Sequence, residues 1–168
     1  MTKKITYQRL YNITLYYLSR YDACAGKVRD MLKRRLQRIS LEGQEIPSEA
    51  HQWIEQVIMR MIELGYVNDK RYAENQFRRL SEAGKSARFI TMKLMQAGVD
   101  PSVIEVVFQA DEYDDLERAK ALVSRKKIGY FRPQSERLEY FKKDLMMLGR
   151  AGFSYETARK VLQENDEF

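Results

Sequence analysis

The stretch from Gly65 to Phe108 constrains the fold more than any other part of the chain, because it contains three short helical segments with clear start and stop signals. Apolar side chains recur in each segment at the spacing of an amphipathic helix. Gly98 follows the second segment, where a left-handed residue commonly ends a helix. Asp100 and Pro101 then combine a capping side chain with a proline suited to the first helical position. The stretch therefore predicts a three-helix unit.

Diverged copies of this unit lie on both sides of it. Residues 148–153 repeat the pattern of residues 94–99, with a leucine, a glycine and a large apolar residue at the same offsets. Leu36 and Ile46 match the pattern more loosely. Short helical repeats cannot bury much apolar surface alone and must pack on their neighbours. We therefore predict an all-α protein in which three tandem three-helix repeats form an elongated, curved array of nine helices.

The repeats are expected to coincide with the domains of the chain. Their predicted bounds are 1–66, 67–110 and 111–168. In the third repeat, the spacing of apolar residues predicts a helix from about residue 134 to residue 150. The residues expected to form its core stripe are Leu138, Phe141, Leu145 and Leu148.

Basic residues are concentrated in the first two repeats. The formal net charge is +6, and residues 111–168 contribute none of this excess. Cations that lie off the apolar stripes could contact a polyanion or an acidic protein face, although the same residues could form solvated helix flanks. The candidate partner-binding or nucleic-acid-binding residues are Lys27, Arg34, Arg35, Arg38, Arg78, Arg79, Arg88 and Lys93.

The sequence offers little for catalysis. It contains neither a glycine-rich phosphate loop nor a Cys/His metal set. Cys24 and His51 are single residues of their kind, so general-base and thiolate chemistry have few candidates. We expect no enzymatic activity, no cofactor and no metal. A single cysteine excludes an internal disulfide, and no apolar run is long enough to cross a bilayer, so we expect a cytoplasmic protein without a membrane partner.

One segment resembles a known family. Gly65-Tyr66-Val67-Asn68-Asp69-Lys70-Arg71-Tyr72-Ala73 is similar to the G-[YFL]-[LIV]-[ND]-[DE]-x-[RK]-[YF]-A pattern of the RecX family, bacterial regulators of the RecA recombinase. The likeness extends over nearly the whole chain, including Ile90, Leu94 and the segment 28–32. The chain departs from the family at Phe89 and Lys93, where a basic and an acidic residue, respectively, are common.

The resemblance implies a function. RecX proteins bind along the groove of the RecA–single-stranded DNA filament and inhibit its ATPase, strand-exchange and coprotease activities. The implied partner is therefore the RecA filament, a contact with single-stranded DNA is left open, and the chain is expected to be a monomer. The basic residues by themselves leave an alternative open, which is a general nucleic-acid-binding helical module without a recombinase partner.

Overall fold

The computed structural model describes residues 4–111 and 113–163. Within these ranges the chain forms nine α-helices and one short 3-10 turn, Gly129–Phe131, and no β-strand. The predicted all-α fold of three successive helix triplets is confirmed. The helices are α1 (Tyr7–Leu18), α2 (Ala25–Leu41), α3 (Ala50–Glu63), α4 (Asp69–Glu82), α5 (Ala87–Gln96), α6 (Pro101–Asp111), α7 (Asp115–Lys126), α8 (Gln134–Ala151) and α9 (Tyr155–Gln163).

Contacts divide the chain into two compact units. Unit 1 contains the residues up to Ala73 together with Met95–Val103, and unit 2 contains Glu74–Leu94 together with the residues from Ile104 onward. All three boundaries, at 73/74, 94/95 and 103/104, therefore fall within the middle triplet. The division into repeats at 1–66, 67–110 and 111–168 remains a prediction.

Each unit has its own apolar core. In unit 1, α1 and α2 pack on α3, and the side chains of Leu10, Leu32 and Ile54 are buried there. In unit 2, α7 and α8 pack on α9, and Val123 and Val161 belong to the buried cluster.

The stop and start signals between α5 and α6 have the predicted geometry. Gly98 has a φ of +83°, a left-handed conformation that strains residues with a Cβ. The carboxylate of Asp100 accepts a hydrogen bond from the N–H group of Ser102 at 2.9 Å, which satisfies one of the free donors at the start of α6.

In unit 1, the start of α2 is held by groups from much later in the chain. The N–H group of Ala25 donates to the Asp69 carboxylate at 2.8 Å. The thiol of Cys24 donates to the Ala97 carbonyl oxygen at 3.1 Å. The free donors at the start of a helix need such acceptors, and a carboxylate there is also favoured by the helix dipole. The first turn of α2 is therefore completed by the first residue of α4 and the end of α5.

Two glycines allow this close approach of backbones. Gly26, in the first turn of α2, is buried against Gly98. A Cβ atom on Gly26 would overlap the carbonyl oxygen of Ala97 and would lie only 2.7 Å from the Cα atom of Gly98. The contact therefore requires glycine at position 26.

Unit 2 contains a junction of the same construction. The N–H group of Ala87 donates to the Asp115 carboxylate at 2.8 Å, and the N–H group of Ser86 donates to the Ala151 carbonyl oxygen at 3.0 Å. The start of α5 is thus completed by the first residue of α7 and the end of α8. The repeat that is visible in the sequence corresponds to a repeated contact within each unit.

The prediction that Leu138 belongs to the core stripe of α8 is wrong, because this residue is 92% exposed. The other predicted stripe residues do face the core, because Leu148 is buried and Phe141 and Leu145 pack against it partly buried. Arg137 and the buried Asp144 take further inward positions. Arg137 is held there because its guanidinium donates to the Tyr130 carbonyl oxygen at 2.6 Å. Leu138, the next residue along the helix, is consequently turned outward.

Asp144 is 1% exposed and occupies the inward position that Ile90 has in α5, four residues before a buried leucine in each helix. Its carboxylate accepts hydrogen bonds from the Gly129 N–H group at 3.1 Å and from Nε and Nη2 of Arg132 at 2.9 Å each. Burial by itself would raise the pKa of Asp144, but the hydrogen bonds from Arg132 and Gly129 outweigh it and hold the pKa below its usual value. The buried carboxylate therefore fixes the 3-10 turn to α8.

Replacing Gly26 with alanine is expected to destabilise unit 1, because the new methyl group would have to displace backbone atoms. The loss should be about 1–3 kcal/mol, the range typical of overpacking. Gly149→Ala is the matched control: Gly149 also lies in a helix, and a Cβ there would meet nothing within 4 Å, so the change should be neutral or gain up to about 1 kcal/mol. Urea unfolding measures both. Equal changes in the free energy of unfolding at positions 26 and 149 would contradict the close approach of Gly26 to Gly98.

Replacing Asp144 with asparagine is expected to lower the free energy of unfolding by about 2–4 kcal/mol at about pH 7, since Arg132 would lose its charged partner. The folded-state pKa of Asp144 lies below the unfolded one, so the contribution of the ionised carboxylate is complete above about pH 5 and is lost as the pH falls through the folded-state pKa. The difference between wild type and variant should therefore shrink on acidification, as measured by urea unfolding at several pH values. A difference that is independent of pH would contradict an electrostatic role.

Candidate interaction surface

The first cation on α2 is held by a neighbouring residue. Lys27 is half-buried, and its ammonium lies 5.2 Å from the centre of the Tyr72 ring. A hydrogen bond with the Tyr72 hydroxyl raises the pKa of Lys27. Its charge is therefore engaged within unit 1, although the sequence had grouped it with Arg34 and Arg38.

Arg34 and Arg38 lie one turn apart on the exposed side of α2. Arg38 makes one long ion pair with Glu42, with 3.9 Å between Nε and Oε1. Both side chains are mostly in solvent, where such a pair contributes little to stability. We call Arg34 and Arg38 the α2 face.

Arg35 lies apart from this face, in a groove of about 740 Å³ beside α1. Lys4 and Arg9 line the same groove, together with Tyr16, which is 61% exposed. None of the residues that line the groove is acidic. The Nε atom of Arg35 is buried and has no hydrogen-bond partner among the described residues. The groove therefore concentrates positive charge without a counter-ion in its lining.

The two arginines on α4 lie among groups that neutralise or engage them. Arg78 is exposed and lines a cleft of unit 2 that also contains Glu74, Glu82 and Asp111. Arg79 donates to the side-chain oxygen of Gln76 at 2.8 Å. This part of α4 presents mixed charge rather than a basic column.

The two cations predicted on α5 share that helix with an aromatic ring. Arg88 and Lys93 are exposed, and Phe89 is half-buried between them. The ammonium groups of Lys85 and Lys93 lie 4.7 Å and 5.7 Å from the centre of the Phe89 ring, within the range of cation–π attraction. The backbone of Lys85 is anchored in turn, because its carbonyl oxygen accepts a hydrogen bond from the Tyr113 hydroxyl at 2.5 Å.

Met92 completes the exposed surface of α5, with 42% of its area in solvent. It follows Arg88 by one helical turn and directly precedes Lys93. We call Arg88, Met92 and Lys93 the α5 face. Methionine is a flexible apolar side chain that adapts to the surface of another protein, so its exposure between two cations favours a protein-binding role.

The geometry assigns the eight predicted residues to different surroundings. Six of them are exposed, whereas Lys27 and Arg35 are half-buried. The exposed ones are Arg34, Arg38, Arg78, Arg79, Arg88 and Lys93, and of these Arg78 and Arg79 lie among groups that neutralise or engage them. The groove beside α1 was not predicted as a site. The signal was present, because Arg9 and Tyr16 are spaced by two helical turns and so share one side of α1.

Two other features are absent from the described residues, a metal-binding cluster and a membrane-spanning helix. No group of three or more His, Cys, Asp or Glu side chains in residues 4–111 and 113–163 is placed to hold a metal ion. No helix in the same ranges has both the length and the apolar character needed to cross a bilayer.

Comparison with known proteins gives a consistent result. A family model described as RecX, second three-helix domain, matches residues 68–107. The regulatory protein RecX of Myxococcus xanthus is 35% identical over 97% of this chain and 89% of its own length. The regulatory protein RecX of Vibrio vulnificus is 34% identical over 68% of this chain and 73% of its own length.

Solved structures agree with the sequence relatives. The crystal structure of RecX from Lactobacillus salivarius superimposes with a TM-score of 0.63 at 25% sequence identity, covering 96% of this chain and 97% of that one. The repeated helix triplets, the two junctions and the extent of these matches lead to one conclusion: the chain belongs to the RecX family of regulatory proteins.

Proposed function

We propose that this chain is a non-catalytic regulator that binds the RecA–single-stranded DNA filament and inhibits its ATPase, strand-exchange and coprotease activities. The observation that carries the proposal is membership of the RecX family over nearly the whole chain. The partner would be the RecA filament in the cytoplasm, with the DNA strand in contact and the chain acting as a monomer.

The exposed faces supply a physical mechanism for this proposal. The α2 face offers two cations, and the α5 face offers two cations around an exposed methionine. Such surfaces complement acidic and apolar patches on another protein and speed its capture. A regulator that binds one state of a filament more tightly than another shifts the filament towards that state. Inhibition then requires no chemistry from the regulator.

A second candidate function is binding of nucleic acid without a recombinase, and the groove beside α1 is the observation that favours it. Lys4, Arg9 and Arg35 would meet phosphates, and the exposed ring of Tyr16 would stack on a base. The Arg20 guanidinium lies 4.4 Å from the centre of the Tyr16 ring, which would place a further cation beside the strand. The same groove could serve a filament regulator that touches DNA.

Reversing both charges of the α2 face, with Arg34→Glu and Arg38→Glu, is expected to weaken inhibition of the DNA-dependent ATPase of RecA from the same organism. The half-inhibitory concentration should rise about 5- to 30-fold, which corresponds to a loss of about 1–2 kcal/mol. The matched control is Lys126→Glu with Lys160→Glu, which reverses two exposed cations outside the proposed faces. Inhibition that is equal in the two double variants would contradict a role for the α2 face, and no inhibition by unaltered protein at saturation would refute the proposed function.

The groove is tested by the salt dependence of binding to bare single-stranded DNA. Lys4→Gln with Arg9→Gln should reduce the slope of log affinity against log salt by about 1.4, since each lost phosphate contact removes about 0.7 for a single strand. The Lys126→Glu, Lys160→Glu protein is again the control and should keep the original slope. An unchanged slope in the groove variant would place DNA contacts elsewhere. Tight DNA binding combined with no effect on RecA would favour the second function over the first.

A further inference from the structure

The third triplet carries an exposed face in the same position as the α5 face. The buried residues of α5 and α8 follow one pattern, which fixes the alignment of the two helices. The aligned pairs are Ile90 with Asp144, Leu94 with Leu148, and Ala97 with Ala151. This alignment pairs Gly98 with Gly152, and both are left-handed, with φ of +83° and +99°.

Under this alignment, the outer residues of α8 repeat those of α5. Lys142 takes the position of Arg88, and Met146 takes that of Met92. Both members of each pair are exposed, with Met92 at 42% and Met146 at 51%. Arg150 continues the row on α8 by one more turn. We call Lys142, Met146 and Arg150 the α8 face.

No ion pair with a described residue accounts for the two cations of the α8 face. Neither Lys142 nor Arg150 forms an ion pair with another residue that the structure describes. An exposed methionine gains nothing from solvent, and it recurs in the same position of the second helix of two successive triplets. Cations on both sides of an apolar, adaptable side chain fit an apolar patch edged by carboxylates on another protein.

The two faces are also fixed relative to each other within unit 2. The junction joins the end of α8 to the start of α5, through the hydrogen bond from Ser86 to Ala151. Gly152 lies so close to Phe89 that an added Cβ would be 2.7 Å from the Phe89 Cβ atom. The last turn of α8 therefore adjoins the first turn of α5. Two faces that share a cation and an exposed methionine at aligned positions, held at a set offset, suit a partner that presents the same surface more than once.

We infer that the α8 face is a second docking surface, which binds the same acidic and apolar patch as the α5 face but on the neighbouring subunit of the polymer. This inference rests on the proposed function, because the polymer is the recombinase filament. Each face alone contributes modest affinity. Together they bind two subunits at once, so the second contact forms at a high effective concentration. The chain thereby prefers the assembled filament to a single subunit.

The test compares three double variants on two forms of the recombinase. Lys142→Glu with Arg150→Glu alters the α8 face, and Arg88→Glu with Lys93→Glu alters the α5 face. Lys126→Glu with Lys160→Glu is the charge-matched control. Binding is measured to preformed filaments on single-stranded DNA and to recombinase kept unpolymerised. Circular dichroism shows whether each variant keeps its helical content, which is expected because all six side chains are exposed. Met146→Ala tests the same face without any change of charge.

The α8 variant is expected to lose at least about tenfold in affinity for filaments, as lost avidity requires, while its binding to the single subunit falls less than about twofold. The α5 variant should lose filament affinity to a similar extent, and Met146→Ala should lose part of it. If the α8 variant binds filaments as tightly as the control does, the inference is wrong. The proposed function still stands in that case if the α5 variant loses affinity for filaments. Equal losses on filament and single subunit also overturn the inference. If the unaltered chain does not bind filaments, both proposals fail.

Discussion

The first turns of α2 and α5 depend on carboxylates that the following triplet supplies. The N–H group of Ala25 donates to Asp69, and that of Ala87 donates to Asp115. Donors at the start of a helix have no partner within it, and leaving them unpaired in a buried junction would be costly. Each of these helices is therefore complete only when the next triplet is folded beside it. This dependence explains why short triplets, each with little core of its own, occur in tandem.

The packing of each helix start against the next triplet also determines which helix surfaces are buried and which remain as candidate binding surfaces. Junctions and cores use the ends and inner sides of α2, α5 and α8, including the buried Asp144 with its partner Arg132. The outer sides of α2, α5 and α8 carry exposed cations, and those of α5 and α8 also carry exposed methionines. A protein built this way has its candidate binding residues in rows on helices, which is suited to lying against another macromolecule.

Much of the fold could be predicted because the residues that begin and end its helices lie at the helix ends themselves. The left-handed Gly98 and the cap at Asp100 follow from residue type and spacing, and both are confirmed. Leu138 was misplaced because positions three and four residues before Phe141 both fit a helical stripe. The choice between them was decided by Arg137, whose hydrogen bonds to the neighbouring turn hold it inward. A rule based on apolar spacing cannot anticipate an inward arginine or a buried aspartate.

The candidate surface was less predictable, because a charge in the sequence says nothing about its tertiary partner. Lys27 falls in line with Arg34 on a helix, yet Tyr72 of α4 takes up its ammonium. Arg35 differs from Arg34 by one position and lies in a separate groove. The sequence alignment of residues 94–99 with 148–153 pairs Met92 with Met146, but only the structure shows that both side chains are exposed.

The central proposal is that this protein acts by lying along a polymer through the outer faces of the second helix of each triplet. Electron-microscopic reconstruction of recombinase filaments on single-stranded DNA, formed with the chain bound, tests it most directly. The account predicts density for the chain along the filament, with the exposed sides of α2 and α5 against recombinase subunits. Filaments without such density, or a chain attached only to bare DNA, would contradict it.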